Sequence, residues 1–544
     1  MRAGLAIVGG VLLAASFPKM GVAGFAWVAP GMILGSAMGV SGWRAFKLGF
    51  LAGLVHFGIS LYWLLNIPVM KLFPILAWAG LSAFLSLYSG GWVWLCWRLC
   101  PGEVAGVAGL RGGCDRLLSM RWGQRTLWAL SCAALWVSWE MIQGRLFTGF
   151  PWNFLGTSQY RMLPLIQVAS WTGVYGLSFL PAWFAVSALA AMVYVLRRPQ
   201  QTRRWFGEVA LPLLTALGTV YGGWWHLASK SGSSPGPTVK LALVQPSIPQ
   251  RWIWAPEETA RRFDQLLALS ERALTNHPQV LVWPEAATPG FIRWQTNVYE
   301  AVSNLVQRHQ VWLVLGGDDA VPRDDGMMDA YNSSFLINPQ GVIKAVYRKR
   351  RLVIFGEYLP LHSWVPWLEK WTGMYSFSSG QAPVPFRIPE LDTTLSVLIC
   401  FEDNFPHHTR EYVEEDTDFL LNLTNNGWFG ESAAQWQHAA SAIFRAVENR
   451  VQLVRCANNG LTCTVDPQGR LANVYFPGTT DIYGEGVKTV EIPLLKEHRR
   501  VRSFYRRFGD VFGWSCVLWS ALLTGEHWLR KGRKQTVSAE LPAG

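Results

Sequence analysis

Runs of apolar residues at 3–17, 25–40, 46–65, 73–99, 127–142, 171–196, 209–227 and 511–529 dominate both ends of the chain. Several approach the roughly 20 residues that a helix needs to cross the hydrocarbon core of a bilayer. So few charges interrupt the series that it reads as a multi-span α-helical membrane domain of about eight spans. The first run, behind Arg2 and ahead of Ala14, Ala15 and Ser16, has features of a cleavable signal peptide, but a second apolar run follows at once, which favours retention.

Between residues 238 and 500 the pattern changes. Short β-rich runs recur at 239–244, 280–283, 311–315, 333–337, 342–347, 395–399, 419–423 and 451–456, with amphipathic helical stretches at 257–275 and 298–308. Alternation of this kind predicts an α/β sandwich. A Ser-Gly-Ser-Ser-Pro-Gly-Pro segment at 231–237 reads as the linker into it. The expected division is therefore a membrane domain over 1–230, the linker, a water-facing domain over 238–500, and a last span with a basic tail over 501–544.

Charge sharpens this division. Only Glu103, Asp115, Glu140 and Glu208 of the 36 acidic residues precede residue 238, and the formal net charge of +12 is concentrated in short basic loops. That distribution follows membrane topology, and we discount nucleic acid as a partner. If Arg2 is cytoplasmic, alternate loops carrying Arg44 and Lys47, then Arg98, Arg111, Arg116, Arg121 and Arg125, then Arg197, Arg198, Arg203 and Arg204 are cytoplasmic too, with Arg530, Lys531, Arg533 and Lys534 in the tail. The opposite loops hold only Lys19, Lys71, Arg145 and Arg161. The 238–500 domain is then expected outside the cytoplasm. The eight cysteines lack paired metal-ligand spacing, and whether Cys456 and Cys463 form a disulfide stays open.

Three reactive groups fall just beyond predicted strand ends: Glu285 after Pro284, Lys349 after the 342–347 run, and Cys400 after 395–399, with Phe401 and Glu402 behind it. A thiol attacks a carbonyl as thiolate, so Cys400 needs a base, which Glu285 can supply. Lys349 and a backbone N–H near Phe401 can stabilise an oxyanion, and Glu357 can hold the ammonium. Taken singly, a cysteine ending a strand is more often core than catalyst, and a lone Glu or Lys is usually a solvated surface group.

The local wording around these residues is specific. Leu-Val-Trp-Pro-Glu at 281–285, Tyr-Arg-Lys-Arg-Arg-Leu at 347–352 and Ile-Cys-Phe-Glu at 399–402 resemble the ordered Glu, Lys, Cys signatures of the nitrilase (carbon-nitrogen hydrolase) superfamily. Phe-Gly-Glu-Tyr at 355–358, Asn-Asn-Gly-Trp-Phe-Gly at 425–430, Trp-Gln-His at 436–438, Asn-Asn-Gly at 458–460 and Thr-Gly-Phe-Pro-Trp at 148–152 resemble the apolipoprotein N-acyltransferase family over nearly the whole chain. Departures lie outside the triad: Ile354, Arg351 and Phe401 stand where proline, histidine and tyrosine are common.

The resemblance implies an α-β-β-α sandwich on the periplasmic side of the cell inner membrane, carried by a multi-pass platform. It implies that Cys400 takes an acyl chain from a phospholipid, typically phosphatidylethanolamine, as a thioester. The acyl group then passes to the α-amino group of a diacylglyceryl-modified lipoprotein, with no metal and no diffusible cofactor. Glu285, Lys349 and Cys400 are the implied catalytic residues, Glu357 and Glu402 their support, and Trp254, Phe401 and Trp428 candidate substrate contacts, although interfacial anchoring explains the two tryptophans equally well. A membrane-anchored amidase using the same triad is the alternative, and a transporter or scaffold with an inactive outer domain carries little weight.

Three further expectations concern individual residues. Glu140 with Arg145 reads as an interfacial ion pair, His407 and His408 as two solvated histidines, and His438 and Arg445 as packing residues of a helix. A monomer is the default.

Overall fold

The computed structural model describes residues 1–70, 72–101, 109–229, 236–359, 376–476, 478–495 and 502–539. Residues 231–235 of the expected linker and the expected boundary at 500/501 lie outside the described residues. The chain divides into two compact units. One comprises Met1–Leu65, Met70–Ala228 and Phe508–Gly544; the other comprises Asn66–Val69 and Ser229–Arg507.

The first unit is helical. Its apolar runs become the helices Arg2–Ala15, Ala29–Ser36, Gly42–Ser60, Leu72–Arg98, Trp122–Gln143, Val174–Arg197, Thr202–Ser229 and Val511–Ala539. Among the described residues, Leu72–Arg98 and Val174–Arg197 are long and apolar enough to cross a membrane by length and composition. The second run departs from expectation. It splits into a 3-10 turn, Ala23–Trp27, and an eight-residue helix, Ala29–Ser36, which at about 1.5 Å per residue reaches only about 12 Å. Pro30 in the first turn of that helix sets its start, and Gly31 lets it meet the Val174–Arg197 helix, since a Cβ there would fall 2.3 Å from the Ala185 carbonyl.

This unit holds a buried ion pair. Arg125 meets Glu208 at 2.8 Å, both side chains nearly inaccessible. The expected Glu140–Arg145 pair is not formed. Arg145 instead pairs with Asp510, while Glu140 accepts from the Trp136 indole at 2.9 Å and the Leu155 N–H at 2.7 Å. Glu140 and Arg145 are five residues apart on or just past a helix, a spacing that does not stack side chains on one face, whereas the i+4 indole is in reach.

The second unit holds two six-stranded sheets. The first orders its strands β12-β1-β2-β3-β4-β5, with β1 Thr238–Gln245, β2 Val280–Val282, β3 Trp312–Pro322, β4 Met328–Ile337, β5 Ile343–Arg348 and β12 Gly486–Pro493. The second orders them β11-β10-β9-β8-β7-β6, with β6 Pro385–Ile388, β7 Thr393–Ile399, β8 Phe419–Thr424, β9 Gln452–Ala457, β10 Cys463–Val465 and β11 Leu471–Ala472. Helices Thr259–Leu274 and Thr296–His309 lay Leu266, Leu269, Val302 and Leu305 on the outer face of the first sheet, against Leu281, Leu313 and Phe335. The sheets face each other, as the Cys456 thiol shows by donating to the Val244 and Val282 carbonyls. Helix Ala434–Asn449 packs beside β9. The layers are α-β-β-α.

β7 and β8 are inaccessible along their whole lengths, as parallel strands between two layers must be. Cys456 and Cys463 are both free. Cys463 stands opposite Arg455 in the antiparallel β9–β10 pair, so Cys456, one residue on, points to the other face of the sheet.

Candidate active site

Glu285 lies just past β2, where the chain stays bound to β3 although the regular strand has ended. Trp283 N–H donates to the Val314 carbonyl and Ala287 N–H to Gly316, both at 2.9 Å. Gly316 permits this: a Cβ there would come within 2.5 Å of the Pro284 oxygen and 2.7 Å of Glu285 Cα. Lys349 follows β5 and is held on both sides, its N–H donating to Asn332 and its carbonyl accepting from Gly380, at 2.8 Å each. Cys400 ends β7 in the other sheet and begins the 3-10 turn Cys400–Asn404 with φ of +52°. A non-glycine residue there costs free energy that the surrounding contacts must offset. The Asn422 side-chain amide, at 3.0 Å, and His438 Nε2, at 3.1 Å, hold the Cys400 carbonyl.

The two sheets converge on Lys349, 1% exposed, whose Nζ donates to Glu357 Oε1 at 2.7 Å and to Glu285 Oε1 at 3.2 Å. Asn332 Nδ2 lies between the same two oxygens, 2.8 Å from each. The second oxygen of Glu285 accepts from Asn425 N–H at 2.8 Å, just past β8, tying the first sheet to the second. Glu357 Oε2 accepts from Val353 N–H at 2.9 Å. Both carboxylates are thus oriented by donors independent of Lys349.

The electrostatics follow from this geometry. Burial alone would lower the Lys349 pKa, but the carboxylates of Glu285 and Glu357 hold it well above its ordinary value, so it is a permanent cation. The Cys400 thiol is pushed up to about 12, first by burial and then by the Glu285 charge, against the opposing pull of Lys349 and a hydrogen bond with Thr424. Burial and the Glu285 charge therefore favour the thiol over the thiolate at rest.

Glu402 is fully buried, and its role is legible in its partners. It accepts from Tyr347 OH, Arg350 N–H and Ile399 N–H at 2.8 Å, from Arg351 N–H at 3.0 Å, and from His408 Nε2 at 3.3 Å. Burial opposes its charge, yet the His408 contact and these donors keep its pKa below the ordinary carboxylate value. One side chain thereby fastens the segment after Lys349 to the strand end before Cys400. His408 is 1% exposed, so the expectation of two solvated histidines fails for it: its ring is needed to satisfy Glu402.

Trp254 and Trp428 meet edge to face with ring centroids 5.0 Å apart, Trp254 being 46% exposed. Their segments are joined by Asn425 Nδ2, which donates to Gln250 Oε1 at 2.8 Å. Phe401 is partly exposed beside Cys400 and packs on Phe405 at 5.0 Å. His438 does more than pack. Besides the Cys400 carbonyl it contacts Asp403 Oδ1 at 2.7 Å, and Asp403 also pairs with Arg455. Arg445 pairs with Glu448 at 2.7 Å and donates to the Asn404 carbonyl at 2.9 Å. Sequence reasoning missed Asn332 and Asn422 and named Asn425 only within the 425–430 wording, with no role assigned to it.

Residues 240–495 match the carbon-nitrogen hydrolase family, and residues 9–187 match the apolipoprotein N-acyltransferase N-terminal domain. The apolipoprotein N-acyltransferase of Geobacter metallireducens is 35% identical over 536 residues, covering 97% of this chain and 95% of the relative. The apolipoprotein N-acyltransferase of Chlorobaculum tepidum is 31% identical over 412 residues, covering 71% and 74%. Among solved structures, an amidase from Nesterenkonia sp. is similar at 18% identity and a TM-score of 0.35, covering 48% of this chain and 94% of the amidase.

Proposed function

Because the chain belongs to the apolipoprotein N-acyltransferase family, we propose that this acyltransferase moves a fatty acyl chain from a phospholipid, through a Cys400 thioester, to the α-amino group of a diacylglyceryl-cysteine lipoprotein. The observation that carries the chemistry is a buried ammonium, Lys349, shared by two separately anchored carboxylates and acting on the Cys400 thiol.

In the first half-reaction the Cys400 proton passes to Glu285 as sulfur bonds to the ester carbonyl carbon. The tetrahedral oxyanion is stabilised by the Lys349 charge, whose orientation Glu357 maintains. Collapse breaks the C–O bond, and Glu285 returns the proton to the departing lysophospholipid oxygen. In the second half-reaction the lipoprotein amine attacks the thioester carbonyl and gives its proton to Glu285. Collapse then breaks the C–S bond and restores the Cys400 thiol. The high pKa of Cys400 suits this sequence, since proton transfer accompanies attack in one direction and reprotonation follows expulsion in the other.

Both substrates are lipids, which fits a catalytic unit borne by a multi-pass helical platform in the cell inner membrane, with about eight spans and the catalytic unit on the periplasmic side, as the basic loops suggest. The enzyme acts as a monomer without metal or cofactor, and Trp254, Phe401 and Trp428 receive the acyl chains. The test is to incubate the purified protein with phosphatidylethanolamine and no acceptor, digest it, and weigh the Cys400 peptide beside a Cys400→Ala control. An acyl mass on Cys400 that disappears on adding a diacylglyceryl-cysteine peptide supports ping-pong transfer. An unmodified but reactive Cys400 removes the phospholipid as donor, and loss of the acyl mass to water alone makes the protein a hydrolase.

A further inference from the structure

Asn332 Nδ2 sits between Glu285 Oε1 and Glu357 Oε1, 2.8 Å from each. Both neighbours are acceptors, so the amide orientation is fixed: nitrogen faces the carboxylates and oxygen faces away. Asn332 Oδ1 is buried and has no donor among the described residues. An unsatisfied acceptor beside the catalytic carboxylates needs an explanation.

The register of the first sheet supplies one. Asp318 on β3 is directly opposite Asn332 on β4, while Lys349 N–H bonds to the Asn332 carbonyl at the end of β5. Directly opposite residues of an antiparallel pair share a face, with Cβ atoms about 5 Å apart. Asp318 therefore lies on the face that carries Asn332. The next residue, Asp319, points to the other face, where it pairs with Arg293 and Arg348. No hydrogen bond is formed by the Asp318 carboxyl among the described residues.

We propose that Asp318 is a positioning residue of the acyl-transfer site: its neutral carboxyl donates to Asn332 Oδ1 and so holds the amide that aligns Glu285 and Glu357 around Lys349. The groups acting on Asp318 are Glu285, beyond β2, and Glu357, both repelling its charge, with Arg262 from helix Thr259–Leu274 favouring it. Lys349 lies in the same network and is already shared by the two glutamates. Burial and the two glutamates push Asp318 up to about 7, which keeps the donor proton in place on the acid side of neutrality. On ionisation the donor is lost and a third negative charge appears beside Glu285.

This inference rests on the acyl-transfer reading, and its test separates the two. The rate of thioester formation on Cys400 from phosphatidylethanolamine is followed by mass spectrometry from pH 5.5 to 9 for the full-length wild type, Asp318→Asn and Asp318→Leu. The wild type should lose rate on the alkaline side of about pH 7, whereas Asp318→Asn, whose amide donates at every pH, should keep at least about half the maximal rate and lack that limb. Asp318→Leu should be slower than wild type by about tenfold on the acid side of pH 7, the loss of one hydrogen bond of about 1.4 kcal/mol, and should lack the alkaline limb. An unchanged alkaline limb in Asp318→Asn overturns the proposal, as does a defect confined to the amine step, which would make Asp318 a contact for the acceptor. The infrared carbonyl band of a protonated carboxyl, present in wild type at pH 6 and absent from Asp318→Asn, is independent of turnover. If no thioester forms in the wild type, acyl transfer fails as a reading while this band still decides the state of Asp318.

Discussion

Replacing Glu285 by Gln should change the reactivity of Cys400 and the rate of acyl transfer in opposite directions. The thiol stands about 3 pH units above its ordinary value of 9.0, so near neutral pH it presents roughly a thousandfold less thiolate than an ordinary cysteine. A more basic thiolate is intrinsically more nucleophilic, and a Brønsted slope of about 0.45 returns roughly twentyfold of that loss. The wild-type protein should therefore be alkylated by iodoacetamide about fiftyfold more slowly than a free thiol at pH 7.5, with a rate still rising tenfold per unit at pH 9. The Glu285 charge is one cause of the raised pKa, so Glu285→Gln should leave Cys400 as reactive or more so. Acyl transfer, for which we propose Glu285 as the base, should fall by about 10²–10⁴. Alkylation is read by mass spectrometry of the Cys400 peptide and transfer by thioester accumulation, on the same preparations. A wild-type alkylation rate that levels off below pH 8 would refute the reasoning, because it would mean a pre-formed thiolate paired with Lys349. Equal losses in both assays would also refute it, since Glu285 would then only be holding the site together.

Asn332→Leu removes the amide between Glu285 and Glu357 and should lower the first-turnover rate by about tenfold to a hundredfold with the fold intact, read by single-turnover acylation beside circular dichroism. Glu402→Gln keeps the size of a fully buried side chain but gives donors at 2.8–3.3 Å one carboxylate fewer, and should cost about 3 kcal/mol or more, read as a lower denaturant midpoint. Arg125→Ala leaves the buried Glu208 unpaired and should destabilise the helical unit by about 3–5 kcal/mol in detergent, whereas the double change with Glu208→Gln should recover much of that. Asp318, raised from 3.8 to about 7, destabilises the folded state increasingly as pH rises through that interval, because the unfolded chain ionises first. Asp318→Asn should therefore melt higher than wild type at pH 8, by up to roughly 4 kcal/mol, and by under about 2 kcal/mol at pH 5. A difference independent of pH would contradict the raised pKa.

Much of the architecture was legible in the sequence because it is decided by local periodicity. The runs at 395–399 and 419–423 are each one residue or two short of β7 and β8, since a strand buried on both faces announces itself as an unbroken apolar stretch. β6, β10 and β11, of two to four residues, are too short to set a period. The helix starting at Ala29 was misjudged for a different reason: hydrophobicity does not reveal that Pro30 begins a helix only there, or that Gly31 brings it against Ala185. Cys456 and Cys463 are close in sequence, but strand alternation, set by pairing register, points them to opposite faces.

The identity of Glu285, Lys349, Glu357 and Cys400 as candidates was available from the chain alone, because the first, second and fourth follow strands and all four stand in recognisable wording. Their arrangement was not. Asn332 meets Glu285 across 47 residues through the strand order of the first sheet, and Asn425 meets it across 140, a contact that exists only once the two sheets are face to face. The same closure decides that Glu402 fastens two segments rather than facing solvent, while the β3–β4 register decides that Asp318 rather than Asp319 shares the face of Asn332. Sequence determined which chemical groups the protein owns and where its strands and helices run. Tertiary structure decided which of those groups share protons, because burial and charge proximity depend on distances in space that no local pattern encodes.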